Sequence, residues 1–371
     1  MNKILKGEEF STEWIKFIDL NINMNYLCSK NIVLFGTGFY GNMVFKYLKS
    51  KGISVSYYCD NDVNKQGKYV DEILVISPNK LYEIKEKVIF ITARHCVKEI
   101  KKQLEDMDLY SISFDNFILG DRYEEYKKIY EEYLEDIKSK KTYKNIMKCM
   151  ATGDTKYCQE IMEKDAFYSL PIFTNNVSDI FVDAGAFVGD TIEQFIWSNI
   201  GQFKKIYAFE PGERQFKAMK FRVERLIQEW GLENNKIECI NAGLGEFNNK
   251  VQYHINEDVP SSNNFLQASS NKVDKMVDEI VDVYSLDKYL DKGEVNFIKA
   301  DIEGYELEML KGGEYIIKQY KPKLAISVYH KPDDILEIIT YLKKIVPEYK
   351  IAIRQHAPTL VETVLYCWID K

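Results

Sequence analysis

No C-x-x-C pair occurs among the seven cysteines (Cys28, Cys59, Cys96, Cys149, Cys158, Cys239 and Cys367), which are odd in number and scattered. That pattern argues against a zinc ribbon, a redox dithiol or a disulfide framework, and reduced thiols in a cytoplasmic protein are expected. No run of about 18 apolar residues is present and the first 20 residues lack an apolar signal core, so neither a membrane span nor a secretory leader is expected. Basic residues do not dominate. Lys and Arg number 50 against 57 Asp and Glu, the net charge is −7 and no basic stripe is visible, which speaks against nucleic acid as a partner. Internal repeats and low-complexity tracts are missing as well. What is there is an ordinary globular composition, 46% hydrophobic and 29% charged, in a chain of 371 residues that calls for two domains.

The pattern predicts a helical lead-in over 1–30, a Rossmann-like α/β unit over 31–120, a helical connector over 121–170 and a second α/β unit over 171–371. In the first unit "NIVLF", "ISVSYYCD", "ILVIS" and "VIFITA" are strand candidates alternating with helices, the signature of a parallel sheet. In the connector Tyr123, Tyr126, Tyr130, Tyr133 and Ile137 recur at spacings of three and four, placing them on one helix face. Packing on a neighbouring domain is the plain expectation for that face, and a homodimer through 123–137 the sharper one. The second unit offers "DIFVDAG", "KIYAFEP", "KIECINAGL", "VNFIKADIEG" and "PKLAISVYH". It ends in two neighbouring strands, "YKIAIRQH" and "TVLYCWI", joined around Pro358.

Two glycine-rich loops compete for the chemistry. "GTGFYG" holds a complete G-x-G-x-x-G at Gly36, Gly38 and Gly41 between a strand and a helix, with Asp60 behind it at the next strand end. Read alone it indicates an NAD-dependent oxidoreductase, but no hydride-transfer partner accompanies it. "FVDAGAFVGDT" is also strand, turn and helix, with Asp183 ending the strand and Gly185 and Gly189 shaping the turn. Asp183 suits a cationic amino group and the helix start at Thr191 suits a carboxylate, so the pair fits an amino-acid tail better than a pyrophosphate. Glu210, at the next strand end, suits both hydroxyls of a ribose, and Pro211 ends that strand. Asp301 and Glu303 follow a buried apolar run at a fourth strand end, where open α/β sheets bind ligands. Tyr329 and His330 end a fifth strand, and a histidine there suits a general base. Arg354 and His356 form a further polar pair, equally readable as an acceptor clamp or a salt bridge.

In the order given, "FVDAGAFVGDT", "YAFEPGERQF", "INAGLGEF", "FIKADIEGYELEMLKGG", "KLAISVYHKPDDI" and "ETVLYCW" resemble the FkbM family of S-adenosylmethionine-dependent methyltransferases, over roughly residues 165–370. The resemblance implies a class I methyltransferase sheet ending in an antiparallel hairpin. It implies a donor loop at Asp183, Gly185, Ala186, Gly189, Asp190 and Thr191, a ribose acid at Glu210 beside Pro211, an adenine region at Asn241 and Ala242, and Asp301 beside the methyl group. The family methylates hydroxyls of sugars, polyketides and other natural products. Residues 31–120 resemble the small domain that precedes sugar acetyltransferases acting on nucleotide-linked sugars. The expectation is therefore a cytoplasmic S-adenosylmethionine-dependent methyltransferase acting on a glycan, nucleotide-linked sugar or other small polar acceptor, with flagellar or surface glycan as context. His330 is the expected base and Asp301 its orienting partner, with Tyr168, Glu303, Tyr305, Tyr329, Arg354 and His356 toward the acceptor. No metal is expected, since two carboxylates and one imidazole suit Mg²⁺ or Mn²⁺ only poorly to fairly. A scaffold without activity is the remaining alternative.

Overall fold

The computed structural model describes Phe10, residues 14–256 and residues 276–370. The first half of the expected lead-in lies largely outside the described residues. The rest is irregular apart from a 3-10 turn at Ile15–Phe17 and a short α-helix at Met24–Leu27. Two α/β units follow, as expected from the alternation.

The first unit is a six-stranded sheet of β1 (Asn31–Phe35), β2 (Val55–Cys59), β3 (Tyr69–Val70), β4 (Ile73–Ile76), β5 (Lys87–Ile91) and β6 (Ile112–Ser113), in the order 3-4-2-1-5-6. All neighbours are parallel except β3 with β4. Parallel strands bury both faces, which is why β1 and β5 read as unbroken apolar runs. Val33, Phe35, Ile89 and Ile91 pack on Val97, Ile100 and Leu104 of the helix Val97–Asp106. Ile32, Leu34, Val88 and Phe90 point the other way, into an apolar cluster that continues into the second unit.

The second unit has a seven-stranded sheet of β7 (Ile180–Ala184), β8 (Lys205–Phe209), β9 (Ile237–Ile240), β13 (Phe297–Ala300), β14 (Lys323–Ser327), β15 (Lys350–Gln355) and β16 (Thr363–Trp368). Their order is 15-16-14-13-7-8-9. Only β16 runs antiparallel to its neighbours, so the expected closing hairpin is present. A small sheet that the sequence pattern did not reveal, β10 (Gly243–Leu244), β11 (Asn249–Asn256) and β12 (Met276–Tyr284), is inserted before β13.

The connector is not one helix. Tyr123–Lys128 passes into a π turn at Ile129–Tyr133, Leu134 bridges Ile351, and a second helix runs Ile137–Thr152. Asp136 caps that helix through the Ser139 N–H and Gly153 ends it at φ +69°. Tyr126 and Tyr130 are buried in the chain's own core, whereas Ile137 is exposed. The tyrosine face packs within the chain, the plainer of the two expectations, with Tyr123 and Tyr133 only partly buried against the same core. Among the described residues no helix is long and apolar enough to cross a membrane.

Candidate active site

In each sheet the strand order reverses at one point, between β1 and β5 in the first and between β7 and β13 in the second. Ligands of open α/β sheets bind outside the strand ends at such points. Here both reversal points open onto one cavity of about 1050 Å³. Gly36, Thr37 and Arg94 line it from the first unit, and Gly185, Asp301 and Glu303 from the second.

The domains are locked together beside it. The Arg94 guanidinium lies 3.5 Å from the centre of the Tyr40 ring, pairs with Asp115 at 2.7 Å, and donates to the Tyr329 carbonyl at 2.7 Å. Further out, Arg122 reaches Glu337 at 2.8 Å. A buried guanidinium that satisfies a carboxylate on one unit and a carbonyl on the other fixes their orientation.

At one end of the cavity stands Glu210, 4% exposed, accepting the N–H of Phe187 at 3.0 Å and of Gly212 at 2.8 Å. Burial pushes its carboxyl up, these two N–H groups offset part of the effect, and the result is about 7. Each oxygen keeps a lone pair for a further donor, so the group fits a ribose diol. Pro211, Phe187, Asp190, Thr191, Gln194 and Gly185 line the wall beside it. Gly185 has φ +74°, and a Cβ there would collide with the Asp301 carbonyl, so only glycine lets β7 and β13 turn this closely.

Asp183 sits differently from its expected place. It is fully buried, receives the Thr191 hydroxyl, and pairs with Lys299 Nζ at 3.1 Å. Lys299 lines the cavity and also donates to the Gly185 carbonyl at 2.7 Å. Burial opposes its charge, but Asp183 and Asp301 outweigh that and hold the ammonium raised. Asp183 therefore shapes the loop through Lys299 and Thr191 rather than facing a ligand amine. Lys299 went unremarked in the sequence, although a lysine inside the apolar run "NFIKAD" signals a buried cation in need of a carboxylate.

The other end is acidic. Asp301, Glu303, Tyr329, His330 and Glu362 line it. His330 is 2% exposed, with Nδ1 3.0 Å from Glu306 and Nε2 3.6 Å from both Asp301 and Glu303. Burial alone would lower the imidazole, but Glu306, then Glu303 and Asp301, outweigh it and raise it to about 10. An imidazole held protonated has no lone pair to offer, so these surroundings do not fit the expected base. Glu303 does fit. Burial pushes it up, Asp301 adds to the rise, His330 opposes it, and the carboxyl reaches about 8. Its φ of +54° is rare for a non-glycine residue, strain of a kind that concentrates at functional sites. The Tyr329 hydroxyl reaches Glu362 at 3.1 Å and Asp301 at 3.3 Å. Asp301, Glu306 and His330 each place one ligand atom within 4.8 Å of the others.

Several expected residues lie outside the cavity lining. The Asn241 side chain donates to the Glu210 and Pro211 carbonyls, and Ala186, Gly189 and Ala242 form the loops behind the wall. Tyr168 is buried with its hydroxyl on the Thr191 carbonyl, and Tyr305 packs beside Gly245. Arg354 is buried on Ser139 at 2.6 Å and Asp136 at 3.3 Å, and His356 contacts the Glu163 carbonyl and the Tyr366 hydroxyl. Arg354 and His356 hold the connector to β15, which corrects their reading as acceptor ligands. In the first unit Asp60 takes the N–H and hydroxyl of Thr37 and the N–H of Asp62, with Lys65 at 3.5 Å. It is occupied in shaping its own loop rather than held out for a ribose. A Cβ at Gly41 would strike the Gly36 carbonyl, whereas one at Gly38 meets nothing within 4 Å.

Residues 183–349 match the methyltransferase FkbM domain, and residues 28–113 match the C2185-like N-terminal domain. No curated protein matches the chain. Among solved structures, methyltransferase FkbM from Methylobacillus flagellatus KT is 21% identical, with 95% of this chain and 94% of that one covered at a TM-score of 0.56. That likeness shows a shared fold across both units. An rRNA methylase from Streptococcus thermophilus is 17% identical, with 55% of this chain and 100% of that one covered at a TM-score of 0.33. The N-terminal match does not confirm the resemblance to the module that precedes sugar acetyltransferases. Residues 183–349 thus match a methyltransferase FkbM domain, and the cofactor that this match supports is S-adenosylmethionine.

Proposed function

We propose that the chain methylates a hydroxyl or amine of a glycan, nucleotide-linked sugar or other small polar metabolite, in the cytoplasm and in the service of surface or flagellar glycan modification. The observation that carries this reading is the pairing, within one cavity, of the Glu210 pocket with a cluster of partly exposed carboxylates at the end of β13. Glu210 would hold the ribose, and the wall from Gly185 to Gln194 would hold the amino-acid tail. The donor supplies a methyl group on a sulfonium, already activated. The protein's task is then to align the acceptor and remove its proton, and alignment alone is worth about 7–11 kcal/mol of barrier.

Glu303 accepts the acceptor's proton, Asp301 and Tyr329 orient the hydroxyl or amine, and the His330 imidazolium keeps the carboxylates from repelling one another. Carboxylates at this end suit an acceptor rich in hydroxyl donors. Thermal-shift measurements test the donor reading. S-adenosylhomocysteine is expected to raise the melting temperature and NAD to leave it unchanged. The opposite pattern would return the chemistry to the Gly36–Gly41 loop and an oxidoreductase. Loss of one CH2 of mass from cell-surface glycans in a deletion strain tests the acceptor class.

A further inference from the structure

One cavity serves both sheets and is lined from both units. Pockets for a single drug-sized ligand run from about 300 to 1,000 Å³, and this one reaches about 1050 Å³. The half not claimed by the Glu210 pocket is walled by the first unit, with Gly38, Phe39, Asn61, Lys65 and Gln103 among its lining residues. The helix Phe39–Ser50 starts there. Its N-cap is Gly38, which makes no side-chain cap, so the first-turn N–H groups keep their capacity to bind an anion. Lys65 stands beside them, 32% exposed and shared only loosely with an Asp60 that Thr37 already satisfies. Across the same cavity, His330 is nearly fully buried, yet its Nε2 has no hydrogen-bond partner among the described residues and faces Asp301 and Glu303. A buried ring nitrogen in ion-pair range of two carboxylates but without a hydrogen bond leaves that bond for a ligand between them to complete. The two ends are in touch through packing, since the Phe39 ring meets the His330 ring edge-on at 6.4 Å between centres.

We infer that the Gly36–Gly41 loop is the acceptor's anchor within the methyl-transfer cavity: the acceptor is a phosphate-bearing sugar, its phosphate on the helix start at Gly38–Tyr40 with Lys65, its hydroxyls at Asp301 and Glu303. The inference rests on the methyltransferase reading and deepens it. It gives the G-x-G-x-x-G loop a phosphate to hold without a dinucleotide, consistent with an Asp60 unavailable to a ribose. The first unit, rather than the methyltransferase domain alone, then selects what is methylated.

Calorimetry on the full chain saturated with S-adenosylhomocysteine tests it, with inorganic pyrophosphate as the probe. Wild type is expected to bind pyrophosphate, more weakly as salt rises. Gly38→Phe is expected to weaken that binding at least tenfold and to leave S-adenosylhomocysteine affinity within twofold, because a side chain there enters open space at an ordinary φ. Lys65→Gln, a partly exposed site that does not endanger folding, is expected to weaken it severalfold. Comparison of UDP-glucose with glucose 1-phosphate identifies a pyrophosphate-linked or a monophosphate-linked sugar as the better match. No pyrophosphate binding by wild type, or binding untouched by both substitutions, overturns the inference. Failure of S-adenosylhomocysteine to bind wild type instead overturns the donor reading beneath it.

Discussion

Replacing Lys299 with methionine isolates the buried pair that shapes the Gly185 loop. The ammonium is 2% exposed and Asp183 0% exposed, 3.1 Å apart, so neither charge has water to fall back on. Breaking such a pair from one side costs about 3–5 kcal/mol, because the remaining charge stays buried without its partner. The Thr191 hydroxyl still donates to Asp183, which favours the lower part of that range. At about 2–4 °C per kcal/mol for a unit of 150–250 residues, the melting temperature should fall by roughly 6–12 °C. The loss should depend on pH. In the variant the Asp183 carboxyl is raised further above its unfolded value, so the penalty is smallest near the unfolded carboxylate range and grows as pH rises through neutrality. Asp183→Asn combined with Lys299→Met removes both charges and should recover most of the loss. Urea midpoints for the two single variants and the double variant at pH 5 and pH 7.5 measure this. A Lys299→Met variant within about 1 kcal/mol of wild type, or a double variant no better than the worse single one, would refute the argument, since both imply that the pair is not a coupled buried ion pair.

Other outcomes follow from the same geometry. Glu303→Gln should lower kcat by about 10²–10⁴ while S-adenosylhomocysteine affinity stays near wild type. In wild type kcat should rise with pH through about 8, where Glu303 ionises; a profile that is flat there removes Glu303 as the base. S-adenosylhomocysteine affinity should fall as pH drops below about 7, because a protonated Glu210 loses acceptor capacity toward the ribose; Glu210→Gln should abolish that dependence, as read by calorimetry. Prolonged dialysis against EDTA should leave turnover unchanged, since the His330 imidazolium supplies the positive charge among the carboxylates; loss of turnover restored by Mg²⁺ or Mn²⁺ would assign a cation to Asp301, Glu306 and His330 instead.

The strands and the polar residues at their ends were legible because each is a local pattern. An apolar run closed by Asp183, Glu210, Asp301 or His330 needs no long-range information to be recognised, and each of these residues does end or follow a strand. What each side chain does there was much less legible. Arg354 and Asp183 looked alike in sequence as polar groups at strand ends, yet both are consumed by partners far along the chain, Asp136 and Lys299. His330 looked like a base until three carboxylates from the Asp301–Glu306 turn gathered around it.

The sequence alone determined the two α/β units, the antiparallel closing pair, and the order of loops that carries the methyltransferase resemblance. These depend on periodicity and on the few residue types that turns and strand ends accept. Tertiary structure decided the surroundings that push His330 and Glu303 up, because those depend on burial and on the distance to other charges. It also decided that the Gly36–Gly41 loop and the Gly185 loop open onto one cavity. Domain docking through Arg94 brings together two strand-order reversals that lie about 150 residues apart in the chain, and no local pattern can report a distance across that gap.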